Sequence, residues 1–273
     1  MTVRRLAAAG LAAALALSSG LLASCARPEA AVILAGSTSV QPFAEALAQE
    51  YMKTRAGLLV EVQGGGSAAG ILAAQSGTAG IGMSSRALKE AEKGLWSVEI
   101  AKDGLAVVVN PANPVTDLSL DQLRTIYTGV VTDWSQVGGA KGQIHVITRE
   151  EGSGTRSAFM DLVMGKHEID PRSIVQDSNG AVRQLVADDP GAIGYLSMGL
   201  VDARVKAVSL GGIAATREDV VNGTYGLSRP FLFVANGEPT GEAKAFVDFV
   251  LSAEGQRLLE AQGLVAVQQG GAS

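Results

Sequence analysis

Short apolar runs alternate with amphipathic segments along most of this chain, and the loops between them are short and rich in Gly and Ser. Val32-Ile33-Leu34-Ala35 reads as a buried strand, Gln41 to Arg55 as a helix and Leu58-Leu59-Val60-Glu61-Val62 as the next strand. Ala68 to Ser76 reads as a short helix, with Ile81-Gly82-Met83 and Leu105-Ala106-Val107-Val108-Val109 as further strands. Pro42 fits the start of its helix, where its missing N–H would be unpaired anyway. Strand–helix–strand order with short loops leaves few choices beyond an α/β sheet with parallel strands.

A second unit follows. Ser119-Leu120-Asp121-Gln122 has the form of a capping box opening a helix to Tyr127, and Thr132-Asp133-Trp134 reads as a turn with an anchoring Trp. Asn179 to Ala187 reads as a helix stopped by Asp189-Pro190-Gly191. Ile193-Gly194-Tyr195, Val205 to Val208 and Pro230 to Val234 are expected strands. Gly241 to Ala261 is expected as one helix, with Ala245, Phe246, Phe249 and Val250 as its core stripe. At 273 residues and 47% hydrophobic composition the chain can bury a large core, in one or two domains.

The first 24 residues are set apart from the fold. Arg4 and Arg5 precede an uncharged, Ala/Leu-rich stretch from Leu6 to Ala23, the pattern of a secretory signal. It ends in Leu22-Ala23-Ser24-Cys25, which resembles the bacterial lipoprotein cleavage box, and that resemblance implies lipidation of Cys25. A plain signal peptide or a retained anchor helix is the alternative. Cys25 is the single cysteine, so an exported mature protein has no disulfide. Residues 26–31 read as a tether. Removing Arg4 and Arg5 takes the formal charge from −5 to −7, which argues against a nucleic-acid partner or a polybasic membrane patch.

The most informative loop is Thr148-Arg149-Glu150-Glu151-Gly152-Ser153-Gly154-Thr155-Arg156-Ser157. It follows the apolar run Ile144-His145-Val146-Ile147 and opens a helical segment. Hydroxyls of Ser153 and Thr155, backbone N–H groups at a helix start and the fork of Arg149 suit a tetrahedral oxyanion. An ordinary capped helix reads the same way. Three further loops share the character, each after a strand and before a helix: Gly36-Ser37-Thr38-Ser39, Gly66-Ser67 and Ser84-Ser85. In open α/β sheets ligands gather beyond the carboxyl ends of strands, where such loops meet.

Other chemistries find no support. Gly165-Lys166-His167 lacks the spacing and hydroxyl residue of a P-loop, and no Gly-x-Ser-x-Gly surrounds Ser67 or Ser153. His145 and His167 have no partner at metal-ligand spacing, so no metal or other cofactor is expected. Glu150 and Glu151 diverge from one loop; Glu151 is expected to orient Arg149, with Glu150 solvated.

Five segments together resemble the phosphate-binding proteins of bacterial high-affinity phosphate ABC importers, most closely the shorter branch. They are Ala35 to Pro42, Val62 to Ser67, Ile81 to Arg86, Thr148 to Ser157 and Asp177-Ser178-Asn179-Gly180-Ala181-Val182. The resemblance implies a type II periplasmic-binding-protein fold: two α/β lobes, two crossing strands and a cleft. Lobe I would be 32–108 plus 231–273 and lobe II 109–230. Implied ligand contacts are Thr38, Ser39, Ser67 and Ser85 on the first lobe, and Arg149, Ser153, Gly154 and Thr155 on the second. Arg86 is either a contact or a surface or bridging charge, with Glu151, Asp177 and Asn179 in supporting roles. The implied function is a monomeric, lipid-anchored, non-enzymatic receptor that hands inorganic phosphate to an ABC permease. Rival readings are a sulfate or molybdate binder, or an exported phosphatase or serine hydrolase. Longer family members carry an Asp where this chain has Ser85. An acid there accepts the proton of phosphate and repels sulfate, so its replacement leaves another acceptor to be found, Asp177 or a backbone carbonyl.

Overall fold

A computed structural model describes residues 31–267. The expected signal segment, the lipid site Cys25, most of the tether and the tail 268–273 lie outside the described residues. The chain begins with β1 (Val32–Gly36), α1 (Gln41–Lys53), β2 (Val60–Gly64), α2 (Ser67–Ser76) and β3 (Ile81–Ser84). β1 lies between β2 and β3 and is parallel to both. Phe43, Leu47 and Tyr51, four residues apart on α1, fall on one helix face and pack with Leu34, Ile81 and Met83. Gly36 and Gly70 let α2 sit against the end of β1: a Cβ on Gly36 would lie 2.8 Å from the Gly70 Cα. That close approach brings the loops after β1, β2 and β3 to one edge.

The chain continues with β4 (Trp96–Val109), β5 (Asp117–Leu118), α3 (Leu120–Tyr127), β6 (His145–Arg149), α4 (Gly154–Phe159) and β7 (Ile174–Gln176). Then come α5 (Asn179–Asp188), β8 (Ala192–Ser197), β9 (Lys206–Leu210), α6 (Arg217–Val221), β10 (Ser228–Ala235), α7 (Gly241–Leu251), α8 (Ala253–Ala261) and β11 (Val265–Ala266). The main strand order is β2-β1-β3-β10-β4-β8-β6-β7. β6 is parallel to both β7 and β8. The expected capping box is present: Ser119 Oγ accepts from Gln122 N (3.1 Å), and Gln122 Oε1 accepts from Ser119 N (2.8 Å). Trp134 is buried and its indole N–H donates to Gly191 O at 3.0 Å, as an anchor should.

Each half has its own core. One is built on Leu34, Phe43, Phe231, Phe233 and Phe246, the other on Leu123, Ile126, Tyr127, Phe159 and Tyr195. β4 and β10 join them. The first half of β4 pairs antiparallel with β10, while Leu105 to Val109 pairs with Ser197 to Ile193 of β8. The change of half therefore falls near Asp103 and Gly104. Leu105 to Val108, expected within the first lobe, pairs in the second because one 14-residue strand runs through both.

The single helix expected over Gly241 to Ala261 is two. Ser252 is extended (ψ 163°), its hydroxyl donates to Phe249 O (2.6 Å) and its Oγ accepts from Gly255 N (3.2 Å), so it ends α7 and caps α8. The strand β7 and the short helix α6 lie in segments where sequence periodicity signals neither.

Candidate functional site

The loops after β1, β2, β3 and β6 meet between the two halves. Ser39, Ser67, Ser85, Ser153 and Thr155 are all buried there. Ser39 Oγ and Thr155 Oγ1 are 2.8 Å apart across the cleft. On the first side Ser67 Oγ accepts from Ser85 N (3.1 Å) and lies 3.3 Å from Ser85 Oγ. Gly154 comes so close to these that a Cβ on it would overlap Ser67 Oγ and lie 2.7 Å from Ser85 Oγ. The backbone also bridges the halves, with Ala68 N donating to Gly152 O at 3.0 Å.

Arg149 closes β6 and is 1% exposed. Its strand end is fixed by Tyr195, whose hydroxyl pairs with Thr148 Oγ1 (2.7 Å) and accepts from Arg149 N (3.3 Å). Burial pushes the Tyr195 phenol up, so it stays a neutral donor and acceptor. The guanidinium donates through Nε to Gln176 O (3.1 Å) and through Nη2 to Asp177 O (2.9 Å), both at the end of β7. Nη2 also reaches across the cleft to Thr38 Oγ1 at 3.2 Å. The unforeseen strand β7 thus aims the arginine.

The acid that orients Arg149 is Glu150, not Glu151. Glu150 accepts from Nε and Nη2, each at 3.0 Å, while Glu151 is exposed. The turn closed by Ser153 N donating to Glu150 O (3.1 Å) folds the loop there, and the two carboxylates diverge as their adjacency requires. Arg86 is buried and its guanidinium binds Glu92 with both arms (2.7 and 2.8 Å). That guanidinium holds the Glu92 carboxyl below its usual value of 4.5. Asp177 is exposed and contributes its backbone carbonyl to Arg149. Asn179 is buried at the start of α5. With its amide oxygen turned inward it accepts from Arg149 Nη1 (2.9 Å), Ser39 Oγ (2.8 Å) and Thr38 Oγ1 (3.1 Å). Ser153 caps α4, accepting from Arg156 N at 3.2 Å, and is buried.

One pair escaped sequence reasoning. Arg229 on β10 and Asp103 on β4 face each other where the strands cross, and both are buried. Arg229 Nε donates to Asp103 Oδ2 (3.0 Å), and Ser197 Oγ donates to Asp103 Oδ1 (2.6 Å). Burial pushes the Asp103 carboxyl up and the Arg229 guanidinium down, and each charge opposes the other's shift. A guanidinium does not surrender its proton in a protein, so the pair is ionic. An Arg directly before the apolar run Pro230 to Val234 was the available signal.

Two α/β halves on paired crossing strands, with facing hydroxyl loops between them, are the architecture of the type II periplasmic-binding-protein fold. The family model of the PBP superfamily domain matches residues 23–254. The phosphate-binding protein PstS of Bacillus subtilis is 34% identical over 240 residues, covering 86% of this chain and 80% of that protein. Among solved structures, a putative phosphate ABC transporter substrate-binding protein with bound phosphate from Clostridium perfringens is 43% identical. It has a TM-score of 0.84 and covers 87% of this chain and 99% of that one. An ABC-type phosphate transport receptor from Vibrio cholerae is 39% identical, with a TM-score of 0.71 and coverage of 86% and 100%. The chain belongs to the PstS family of phosphate-binding proteins within the PBP superfamily.

Proposed function

We propose that this protein captures inorganic phosphate between its lobes and delivers it to an ABC permease, tethered outside the cytoplasm by a lipid on Cys25. The observation that carries this reading is the buried ring of facing hydroxyls, Ser39, Ser67 and Ser85 against Ser153 and Thr155, with Arg149 reaching Thr38 across the cleft. Relatives and structural neighbours named for phosphate support the choice of anion.

A tetrahedral oxyanion entering this ring exchanges hydroxyl–hydroxyl bonds for charge-assisted ones, which are shorter and roughly twice as strong. Its oxygens face donors of both lobes only when the lobes are together. Binding therefore favours closure by differential contact. A closed receptor presents both lobes at once to a permease, and opening them releases the cargo. The site holds its anion without attacking it.

Calorimetry of the full chain in detergent, with phosphate, sulfate and molybdate titrated in turn, tests the reading. Phosphate is expected to bind, and no phosphate is expected to be released from a chromogenic phosphoester. Tight sulfate or molybdate binding with silent phosphate would overturn it, as would phosphoester turnover lost on changing Ser153.

A further inference from the structure

The Asp103–Arg229 pair does more than join two strands. Arg229 Nη2 donates to Ser39 Oγ at 3.1 Å, and Nη1 lies 3.5 Å from the backbone oxygen of Ser85. Both targets are cradle residues of the first lobe. On its other side the guanidinium is held by Asp103, which is 0% exposed and itself fixed by Ser197 at the end of β8 in the second half. The ring of Phe231 lies 5.5 Å beneath the guanidinium. One network thus runs from the second half through both crossing strands to the hydroxyl of Ser39.

The chemistry of Ser39 gives that network its consequence. A serine hydroxyl has one hydrogen and two lone pairs. Arg229 can only donate, so it takes a lone pair of Ser39 Oγ and turns the hydrogen away from itself. The accepting amide oxygen of Asn179 and the hydroxyl of Thr155, each 2.8 Å from Ser39 Oγ, lie on the remaining sides. The hydrogen is therefore aimed at the Asn179–Thr155 side, where the cleft lies. The guanidinium also makes that hydroxyl a stronger donor, because bonds in a buried chain polarise one another. The Arg149 charge adds to the cost of keeping Arg229 charged in its buried place, and a bound anion would relieve it.

We propose that Arg229, fixed by Asp103 where the crossing strands meet, is a positioning residue of the anion site: it orients and polarises the Ser39 hydroxyl for the bound oxyanion. The proposal rests on the phosphate reading above. It differs from a structural ion pair in that its effect on binding passes through one hydroxyl.

A double-mutant cycle on the full chain tests it, read by calorimetry with inorganic phosphate. The cycle compares the parent, Arg229→Lys, Ser39→Ala and the double variant. Arg229→Lys keeps the charge but loses the fork that binds Asp103 and Ser39 together. It is expected to weaken phosphate binding by about tenfold or more when Ser39 is present, the loss of one charge-assisted bond. With Ser39→Ala already in place the same change should cost far less. Calorimetric melting checks folding. Should Arg229→Lys fail to fold, Asp103→Asn with Arg229→Gln removes both charges together, which a buried pair tolerates better than losing one, and the same criterion applies. Equal effects of the arginine change with and without Ser39 would overturn the proposal. A parent that takes no phosphate would overturn the proposed function and this inference with it, whereas a binding parent with independent effects overturns this inference alone.

Discussion

Gly154→Ala separates the fold of the second lobe from the closure of the cleft. Gly154 opens α4 with an ordinary helical backbone, so Ala there should stabilise the helix by about 0.5–1 kcal/mol. Across the cleft the new methyl would overlap Ser67 Oγ and sit 2.7 Å from Ser85 Oγ and 3.0 Å from Ser67 Cβ. Carbon atoms pack at about 3.5–4 Å, so the lobes must part by several tenths of an ångström or more. Ser67 Oγ cannot simply swing aside, because it accepts from Ser85 N at 3.1 Å. Overpacking of this kind costs roughly 1–3 kcal/mol. Here the cost falls on the closed arrangement alone. At about 1.4 kcal/mol per tenfold, phosphate affinity should fall roughly 5- to 150-fold. Calorimetry gives the affinity, thermal melting without phosphate gives the stability, and small-angle scattering reports closure. Gly152→Ala is the control, since its nearest neighbour would be Ala68 Cβ at an ordinary 3.7 Å. The reasoning fails if Gly154→Ala binds like the parent, or if Gly152→Ala is weakened equally.

Arg149→Lys should lower phosphate affinity about tenfold or more, because an ammonium cannot serve Glu150, Gln176, Asp177 and Thr38 from one planar fork; unchanged calorimetric affinity would show that the cleft lies elsewhere. Ser85→Asp should reduce any sulfate affinity more than phosphate affinity, since a carboxylate accepts the proton of phosphate and repels sulfate; equal losses in paired titrations would refute that role. Glu92→Gln tests the commitment of Arg86. The Glu92 carboxyl is depressed in the folded state, so its stabilisation is full above the usual value of 4.5 and is lost as pH falls through the folded value. Melting scans should therefore show a deficit of about 1–3 kcal/mol at neutral pH that closes under acid, with phosphate affinity untouched. A deficit that does not depend on pH would refute the account.

The loops of the site were legible because they combine two local signals, a strand that stops and a run of Gly, Ser and Thr before a helix. The alternation of β1, α1, β2, α2 and β3 was legible for the same reason, since each element carries its own period. What escaped was set by partners distant in sequence. The first half of β4 contains Lys102-Asp103-Gly104, which resembles a turn and is held extended by β10. Ile174 and Val175 of β7 are both exposed, so the strand has no buried alternation to read. The roles of Glu150 and Glu151 were exchanged because adjacency says only that two side chains diverge. Which one meets Arg149 depends on the turn beyond. Arg229 was missed because a lone Arg beside an apolar run more often marks a strand end than a site, and its acid lies 126 residues away.

The charges of the cleft are balanced before any ligand arrives: Arg149 by Glu150, Arg229 by Asp103. The chain as a whole is acidic. Affinity for an anion must then come from the number and direction of short-range donors, not from a long-range field. Most of those directions are set by a neighbour that can only donate. Ser67 Oγ accepts from Ser85 N and Ser153 Oγ from Arg156 N, which turns their hydrogens away from those donors; Ser39 Oγ accepts from Arg229 and Thr38 Oγ1 from Arg149, and their hydrogens rest on the Asn179 amide oxygen, from which an anion would have to draw them. Ser85 Oγ and Thr155 Oγ1 differ, because each is bonded to another hydroxyl that can give or receive. These two can turn a lone pair toward a protonated oxygen. Glu150 and Asp103 are engaged by their arginines, and the Asp177 carbonyl by Arg149. On the proposed reading, Ser85 and Thr155 are the hydroxyls free to turn a lone pair to the proton of phosphate. A hydroxyl accepts from phosphate yet donates equally well to sulfate, so Ser85 by itself places no charge in the way of sulfate.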